Sequence, residues 1–123
     1  MRILILEDEE QALLRLQKMI FKVIPDAVIS GTPSSIEEAI AWFQNNPMPE
    51  LIFMDIQLAD GTSFQVFNRI KITCPVIFTT AYENYALQAF KVNSVDYLLK
   101  PLDENDVKNA IDKLKLLQQS GPV

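Results

Sequence analysis

The sequence predicts a doubly wound α/β fold, in which a five-stranded parallel sheet is covered by helices on both faces to give three layers. Two observations support this prediction. Short apolar runs alternate along the chain with amphipathic segments that repeat at helical spacing. The runs are apolar at nearly every position rather than every second one, which is typical of strands covered on both faces. This alternation requires crossover connections, which are right-handed between parallel strands.

The five predicted strands are the apolar runs themselves. In chain order they comprise residues 3–6, 27–30, 51–54, 76–78 and 95–99. The fourth strand ends at Thr79-Thr80, and the fifth is closed by Lys100-Pro101.

The first two predicted helices are defined by their ends. Apolar side chains recur on one side from about residue 9 to residue 23, and Pro25 ends this helix because proline cannot continue the hydrogen-bond ladder. Ser35, followed three residues later by Glu38, predicts a capping box at the start of the second helix. We expect that helix to end at the Asn-Asn-Pro sequence of residues 45–47.

Three further helices complete the alternation. The third follows a turn at Asp60-Gly61 and closes before Pro75, and its pattern consists of Phe64, Phe67, Ile70 and Lys71. The fourth covers about residues 82–91. The fifth is capped by Asp103. Its apolar face consists of Val107, Ala110, Ile111, Leu114 and Leu117.

The composition describes one domain of 123 residues and excludes several classes of function. Because there is no histidine, the chain has no Ser-His-Asp catalysis, histidine metal site or phosphohistidine. Cys74 is the single cysteine, so internal disulfides and thiolate zinc sites are excluded. The three glycines are too scattered for a glycine-rich phosphate loop. We expect the domain to span residues 1–119, with residues 120–123 as the start of a linker or an end introduced for expression.

The net charge of -5 argues against a nucleic-acid-binding surface, since such surfaces are basic. The apolar run at residues 3–6 is too short for a signal peptide or a membrane span. We therefore expect a soluble, cytoplasmic protein without a membrane partner.

Ionisable and hydroxyl side chains occur where the predicted strands end. They are Glu7, Asp8, Asp55, Thr79, Thr80 and Lys100. Each has a simpler explanation when taken alone, such as acids that favour a helix N-terminus or a lysine at a strand end. Ligands of open α/β sheets, however, bind beyond the carboxyl ends of the strands. We therefore expect these groups to converge at one edge.

Three carboxylates with no histidine or thiolate among them favour Mg²⁺, with Mn²⁺ as a possible substitute. A cation beside a carboxylate nucleophile, with a lysine and a hydroxyl opposite, suits phosphoryl transfer to that carboxylate. Asp55, central in the sheet, is the expected nucleophile. Thr79 and Thr80 both remain candidates for the hydroxyl at this point.

Glu7-Asp8 follows the first strand, Asp55 the third and Thr80-Ala81 the fourth, and Tyr97 lies three residues before Lys100-Pro101. In this order, these motifs resemble the receiver domain of bacterial response regulators over residues 1–120. Residues 81–90 and 95–101 are similar to receivers of LytTR-type regulators. The resemblance implies a flavodoxin-like (βα)5 fold.

The resemblance also implies roles for individual residues. Asp55 would accept a phosphoryl group, and Lys100 and Thr80 would hold the phosphoryl oxygens. Asp8, Asp55 and the Gln57 backbone carbonyl would ligate Mg²⁺, with Glu7 acting through a water molecule. Thr80 and Tyr97 would form a switch pair, and the Lys100-Pro101 peptide bond is often cis in this family.

The implied function is signalling rather than enzymatic. In a two-component phosphorelay, a sensor histidine kinase would phosphorylate Asp55. This would switch a face formed by the fourth helix, fifth strand and fifth helix. The face would control homodimerisation or a DNA-binding output domain in transcription regulation, and DNA would be contacted only through that further domain.

The sequence gives less support to two other classes of function. A phosphatase of haloacid dehalogenase type requires an acid two residues after its nucleophilic aspartate, where this chain has Gln57. A flavodoxin-like mononucleotide binder requires a glycine- and hydroxyl-rich phosphate loop after the first strand, which this chain lacks.

Overall fold

The central sheet has five strands, and all of its neighbouring pairs are parallel. The computed structural model describes residues 1–85, 89 and 94–119. The strands are β1 (Arg2–Leu6), β2 (Val28–Gly31), β3 (Leu51–Asp55), β4 (Val76–Thr80) and β5 (Asp96–Leu99). Their order across the sheet is β2-β1-β3-β4-β5. The predicted fold class is confirmed, with the second strand shifted by one residue.

Burial follows position in the sheet. Every residue of the central strands β3 and β4 is buried, whereas the edge strands β2 and β5 are partly exposed. The fully apolar runs of the sequence thus correspond to strands covered on both faces. Because β3 is the middle strand, its last residue, Asp55, lies at the centre of the carboxyl edge.

Four described helices cover the two faces of the sheet: α1 (Glu10–Val23), α2 (Ile36–Asn45), α3 (Phe64–Arg69) and the C-terminal helix (Glu104–Gln119). Alternate residues of β1 belong to different hydrophobic clusters, as the period of a strand requires. Ile3 and Ile5 pack with α1 and the C-terminal helix, and Leu4 and Leu6 pack with α2 and α3. No helix within the described part of the chain has the length and apolar character needed to cross a membrane.

Two helices depart from the predicted pattern. Helix α3 ends at Arg69, because Ile70 already has an extended backbone, so Ile70 and Lys71 do not extend it as predicted. In the C-terminal helix, Leu114 on the predicted apolar face is buried, whereas Leu117 on the same face is 53% exposed.

The predicted fourth helix is described only in part. A short 3-10 turn covers Glu83–Tyr85, and Tyr82 is not helical. Residues 86–88 and 90–93 lie outside the described residues, as do residues 120–123 of the expected linker.

The predicted capping box at α2 is only half formed. The Ser35 hydroxyl accepts a hydrogen bond from the Glu38 backbone N–H at 3.1 Å, but the Glu38 carboxylate binds the backbone N–H and hydroxyl of Ser34 instead of Ser35. The reciprocal arrangement occurs at the C-terminal helix. There, Asp103 and Asp106 each accept the backbone N–H of the other, at 2.9 and 3.0 Å, so Asp103 is the predicted cap.

Candidate functional site at the carboxyl edge of the sheet

Three carboxylates from the ends of two neighbouring strands meet at the carboxyl edge. Glu7 and Asp8 follow β1 directly, and Asp55 is the last residue of β3. One carboxylate oxygen of each lies within 4.8 Å of the others. Glu7 and Asp55 are buried, while Asp8 is exposed to solvent. The parallel pairing of β1 with β3 brings these residues together, as the sequence led us to expect.

Lys100 reaches this cluster from the end of β5. Its Nζ lies 2.7 Å from Oε1 of Glu7 and 2.9 Å from Oδ2 of Asp55. The Lys100 backbone N–H donates to the Thr80 carbonyl at 2.7 Å, which holds the backbone of Lys100 against the end of β4. The Lys100-Pro101 peptide bond is cis, as the family resemblance implied.

The charges in the cluster do not balance, because three carboxylates face one ammonium. Burial raises the pKa of Glu7, the neighbouring Asp55 charge raises it further, and the hydrogen bond from Lys100 offsets only part of the rise. Burial alone would lower the pKa of Lys100, but its hydrogen bonds to Glu7 and Asp55 outweigh that effect and raise it. The site therefore retains negative charge that a cation would neutralise.

The donor set suits Mg²⁺ or Mn²⁺. All three clustered side chains offer carboxylate oxygens, the hard ligands these ions prefer. Both Glu7 oxygens already have partners, since Oε1 binds Lys100 and Oε2 accepts the Glu9 backbone N–H at 3.2 Å. Both Asp55 oxygens are likewise bonded, to Lys100 and to the Gln57 backbone N–H, whereas the exposed Asp8 carboxylate takes part in none of the described hydrogen bonds. The three carboxylates therefore fit a hard cation, with Asp8 as the carboxylate most open to it.

Residues 56–63, which we call the acceptor loop, continue the chain from Asp55. The Gln57 backbone N–H donates to Oδ1 of Asp55 at 3.3 Å, so the backbone of Gln57 lies against that carboxylate. Gln57–Leu58 then pairs antiparallel with Gly61–Thr62, a two-residue pairing that the sequence pattern does not indicate. Gly61 has a φ of 138°, which explains why glycine occupies the predicted turn.

The side chain of Gln57 makes a contact that no pattern in the sequence indicated. Its Nε2 donates to the Tyr85 hydroxyl at 2.8 Å. Tyr85 belongs to the 3-10 turn after β4, so this bond joins two loops at the carboxyl edge.

Thr80 is the fully buried last residue of β4. Its Oγ1 accepts the Tyr82 backbone N–H at 3.2 Å. Among the described hydrogen bonds, the Thr80 hydroxyl thus pairs with Tyr82 rather than with Asp55 or Lys100. Thr79, the rival for its role, is also buried and lies opposite Asp55 in the β3–β4 register.

Tyr97, in β5, contacts the same residue as Thr80. Its hydroxyl donates to the Tyr82 backbone carbonyl. The N–H and the carbonyl of Tyr82 therefore bind the two predicted switch residues, a role that no pattern in the sequence indicates. An exposed tyrosine one residue beyond Ala81 carries no pattern that distinguishes it from ordinary surface.

Comparison with known proteins gives one consistent result. The protein-family model described as "Response regulator receiver domain" matches residues 3–112. The sensory transduction protein LytT of Bacillus anthracis is 35% identical over 123 residues, which cover 98% of this chain and 49% of that protein. LytR of Streptococcus agalactiae serotype V is 37% identical over 125 residues, covering 97% and 50% respectively. The chain therefore spans about half the length of the curated relatives it matches.

A solved structure extends the likeness to three dimensions. The crystal structure of the response regulatory domain of protein mrkE from Klebsiella pneumoniae superposes with a TM-score of 0.81 at 28% identity. The superposition covers 94% of this chain and 96% of that one. The architecture, the edge-of-sheet cluster and the sequence matches thus agree, and this chain belongs to the response regulator receiver domain family.

Proposed function

We propose that this receiver domain is phosphorylated on Asp55 by the phosphohistidine of a sensor histidine kinase, and that phosphorylation switches its interaction face. Receiver domains are signalling domains and are generally not enzymes. The observation that supports the proposal most strongly is the convergence of Glu7, Asp8, Asp55 and Lys100 from three strand ends. Such a cluster at the carboxyl edge is where α/β sheets bind ligands.

The proposed transfer forms one bond and breaks one. An Asp55 carboxylate oxygen attacks phosphorus, and the phosphorus–nitrogen bond of phosphohistidine breaks. The electron pair stays on the imidazole nitrogen, and the product is an acyl phosphate on Asp55. Lys100, now 2.9 Å from Oδ2 of Asp55, would bind a phosphoryl oxygen there. The Thr80 hydroxyl accepts a bond from Tyr82 and keeps its own O–H free to donate to another.

The residues that would hold Mg²⁺, or Mn²⁺ in its place, are Asp8, Asp55 and the backbone carbonyl of Gln57. Glu7 would act through a water molecule, as the family resemblance implies. When bound, the ion would supply positive charge to the phosphoryl oxygens during transfer.

Tyr82 provides the proposed route from phosphorylation to the switch. A phosphoryl group on Asp55 would draw the Thr80 hydroxyl toward itself and weaken its bond to the Tyr82 N–H. Movement of Tyr82 would change the hydrogen bond from the Tyr97 hydroxyl to the Tyr82 carbonyl, and with it the packing of β5. Phosphorylation would thereby favour a second conformation that the domain already samples.

The switched face would be formed by the segment after β4, by β5 and by the C-terminal helix. It would control homodimerisation or an output domain. The curated relatives are about twice as long as this chain, which supports an output domain in the parent protein. Residues 1–119 would then form the receiver, with DNA contacted only through the output domain.

A haloacid dehalogenase-type phosphatase is not favoured. The residue two positions after Asp55 is Gln57, whose amide binds the Tyr85 hydroxyl and cannot serve as a general acid.

The test is labelling by acetyl phosphate in Mg²⁺, read by intact-protein mass. We expect one phosphoryl group per wild-type chain, none on Asp55→Asn, and none on the wild type in EDTA. Asp26→Asn, which changes an exposed acid away from the site, is the matched control and should be labelled like the wild type. Equal labelling of Asp55→Asn, or steady turnover without a retained phosphoryl group, would refute the proposal.

A further inference from the structure

The geometry points to Asp60 as a positioning residue for the proposed Mg²⁺ site. We propose that its carboxylate anchors the acceptor loop to the N-terminus of α2, and so holds the Gln57 backbone carbonyl beside Asp55. This inference rests on the proposed function, because it assumes that Gln57 contributes to cation binding.

The Asp60 carboxylate makes hydrogen bonds that reach across the fold to α2. Its Oδ1 accepts the Ile36 backbone N–H at 2.9 Å, and its Oδ2 accepts the Glu37 backbone N–H at 3.3 Å. These amides belong to the first turn of α2, where backbone N–H groups lack partners within the helix and a carboxylate is favoured. The hydrogen bond from Ile36 lowers the pKa of Asp60, which keeps the carboxylate charged at neutral pH.

Helix α2 already has a cap from its own segment. The Ser35 hydroxyl accepts the Glu38 N–H, and the Glu38 carboxylate binds Ser34. The contribution specific to Asp60 is therefore a link between the helix and a loop 24 positions further along the chain.

The loop tip lies close against the helix. A Cβ placed on Gly61 would lie 3.2 Å from Cδ1 of Ile36, so the turn and the first turn of α2 are in contact. The two ends of the acceptor loop are held separately: the Ile56 N–H donates to the Thr79 carbonyl at 3.0 Å, and the Ser63 N–H donates to the Ile56 carbonyl at 2.7 Å. Asp60 anchors the tip between these ends.

Gln57 is three residues before Asp60 and pairs across the hairpin with Thr62. If the tip is released, the hairpin and the Gln57 carbonyl can move relative to Asp55, and the carbonyl spends less time at the cation site. Loss of residues that orient metal ligands typically weakens affinity by about 10–100-fold, and we expect about tenfold here.

The experiment is calorimetric titration of Mg²⁺ into the wild type, Asp60→Ala, Asp60→Asn and Ser35→Ala. Asp60→Ala should bind Mg²⁺ about tenfold more weakly than the wild type. Asp60→Asn, which keeps an acceptor oxygen, should lie between the two. Ser35→Ala is the matched control, because it removes a cap of the same helix without touching the loop, and it should bind Mg²⁺ like the wild type despite its lower melting temperature.

Equal Mg²⁺ affinity of Asp60→Ala and the wild type would overturn this inference alone. An equal loss of affinity in Ser35→Ala would also overturn it, because the effect would then come from the stability of α2. Failure of the wild type to bind Mg²⁺ would overturn the cation site of the proposed function together with the inference.

Discussion

Replacing Lys100 with methionine should destabilise the metal-free domain strongly. The Lys100 ammonium lies 2.7 Å from Glu7 and 2.9 Å from Asp55, whose side chains are only 3% and 8% exposed. Methionine preserves most of the volume but leaves two buried carboxylates without their cation. Removing one partner of a buried ion pair costs about 3–5 kcal/mol of unfolding free energy, and the lower value applies because Lys100 is 24% exposed.

This free energy converts into a measurable change in melting temperature. For a chain of 123 residues, about 1 kcal/mol corresponds to about 4 °C, so we expect the melting temperature of Lys100→Met in EDTA at pH 7 to fall by about 12 °C. Thermal unfolding followed by circular dichroism measures it directly. Saturating Mg²⁺ should raise the melting temperature of Lys100→Met more than that of the wild type, because the ion replaces the missing positive charge.

Lys108→Met is the matched control for burial. The Lys108–Asp112 pair has the same 2.7 Å separation, but its side chains are 61% and 48% exposed. An exposed pair contributes at most about 1 kcal/mol, so this variant should melt within about 4 °C of the wild type. Equal melting temperatures for the two variants in EDTA, or equal Mg²⁺ responses of Lys100→Met and the wild type, would refute the electrostatic reasoning.

Three further predictions concern individual residues. Gly61→Ala should lose about 1–3 kcal/mol of unfolding free energy, because a φ of 138° is strained for alanine; an unchanged urea midpoint would contradict this. Burial raises the pKa of Cys74 from 9.0 to about 11, so at pH 7 iodoacetamide should modify the folded protein about 100-fold more slowly than the urea-unfolded chain, and comparable rates would contradict the burial. The raised pKa of Glu7 means that the folded state binds its proton more tightly than the unfolded state, so metal-free stability should fall as pH rises from 4.5 through the folded-state pKa. Glu7→Gln should lack this part of the decline, and parallel stability-versus-pH curves for the two proteins would show that Glu7 is not its source.

The strand-end residues could be located from the sequence because the sheet is parallel. Apolar runs mark where strands stop to within about a residue, and the carboxyl ends of parallel strands share one edge. Glu7, Asp55 and Lys100 therefore come together even though they lie far apart in the chain.

The contacts between loops could not be predicted in the same way. Asp60 binds backbone amides of α2, and Tyr82 joins Thr80 to Tyr97 through its own backbone, so no side-chain type or spacing marks either partner. Periodicity also gives the direction of a side chain but not how deeply it is buried. Leu117, for example, has the helical spacing of a core residue and is nonetheless 53% exposed.

The most direct test of the central claim identifies the residue that carries the phosphoryl group. Protein labelled with acetyl phosphate in Mg²⁺ is reduced with borohydride, which converts an aspartyl phosphate into homoserine, and is then analysed by peptide mass spectrometry. We predict homoserine at position 55 and unmodified Glu7 and Asp8. Reduction at either of those two residues, with Asp55 intact, would contradict the account.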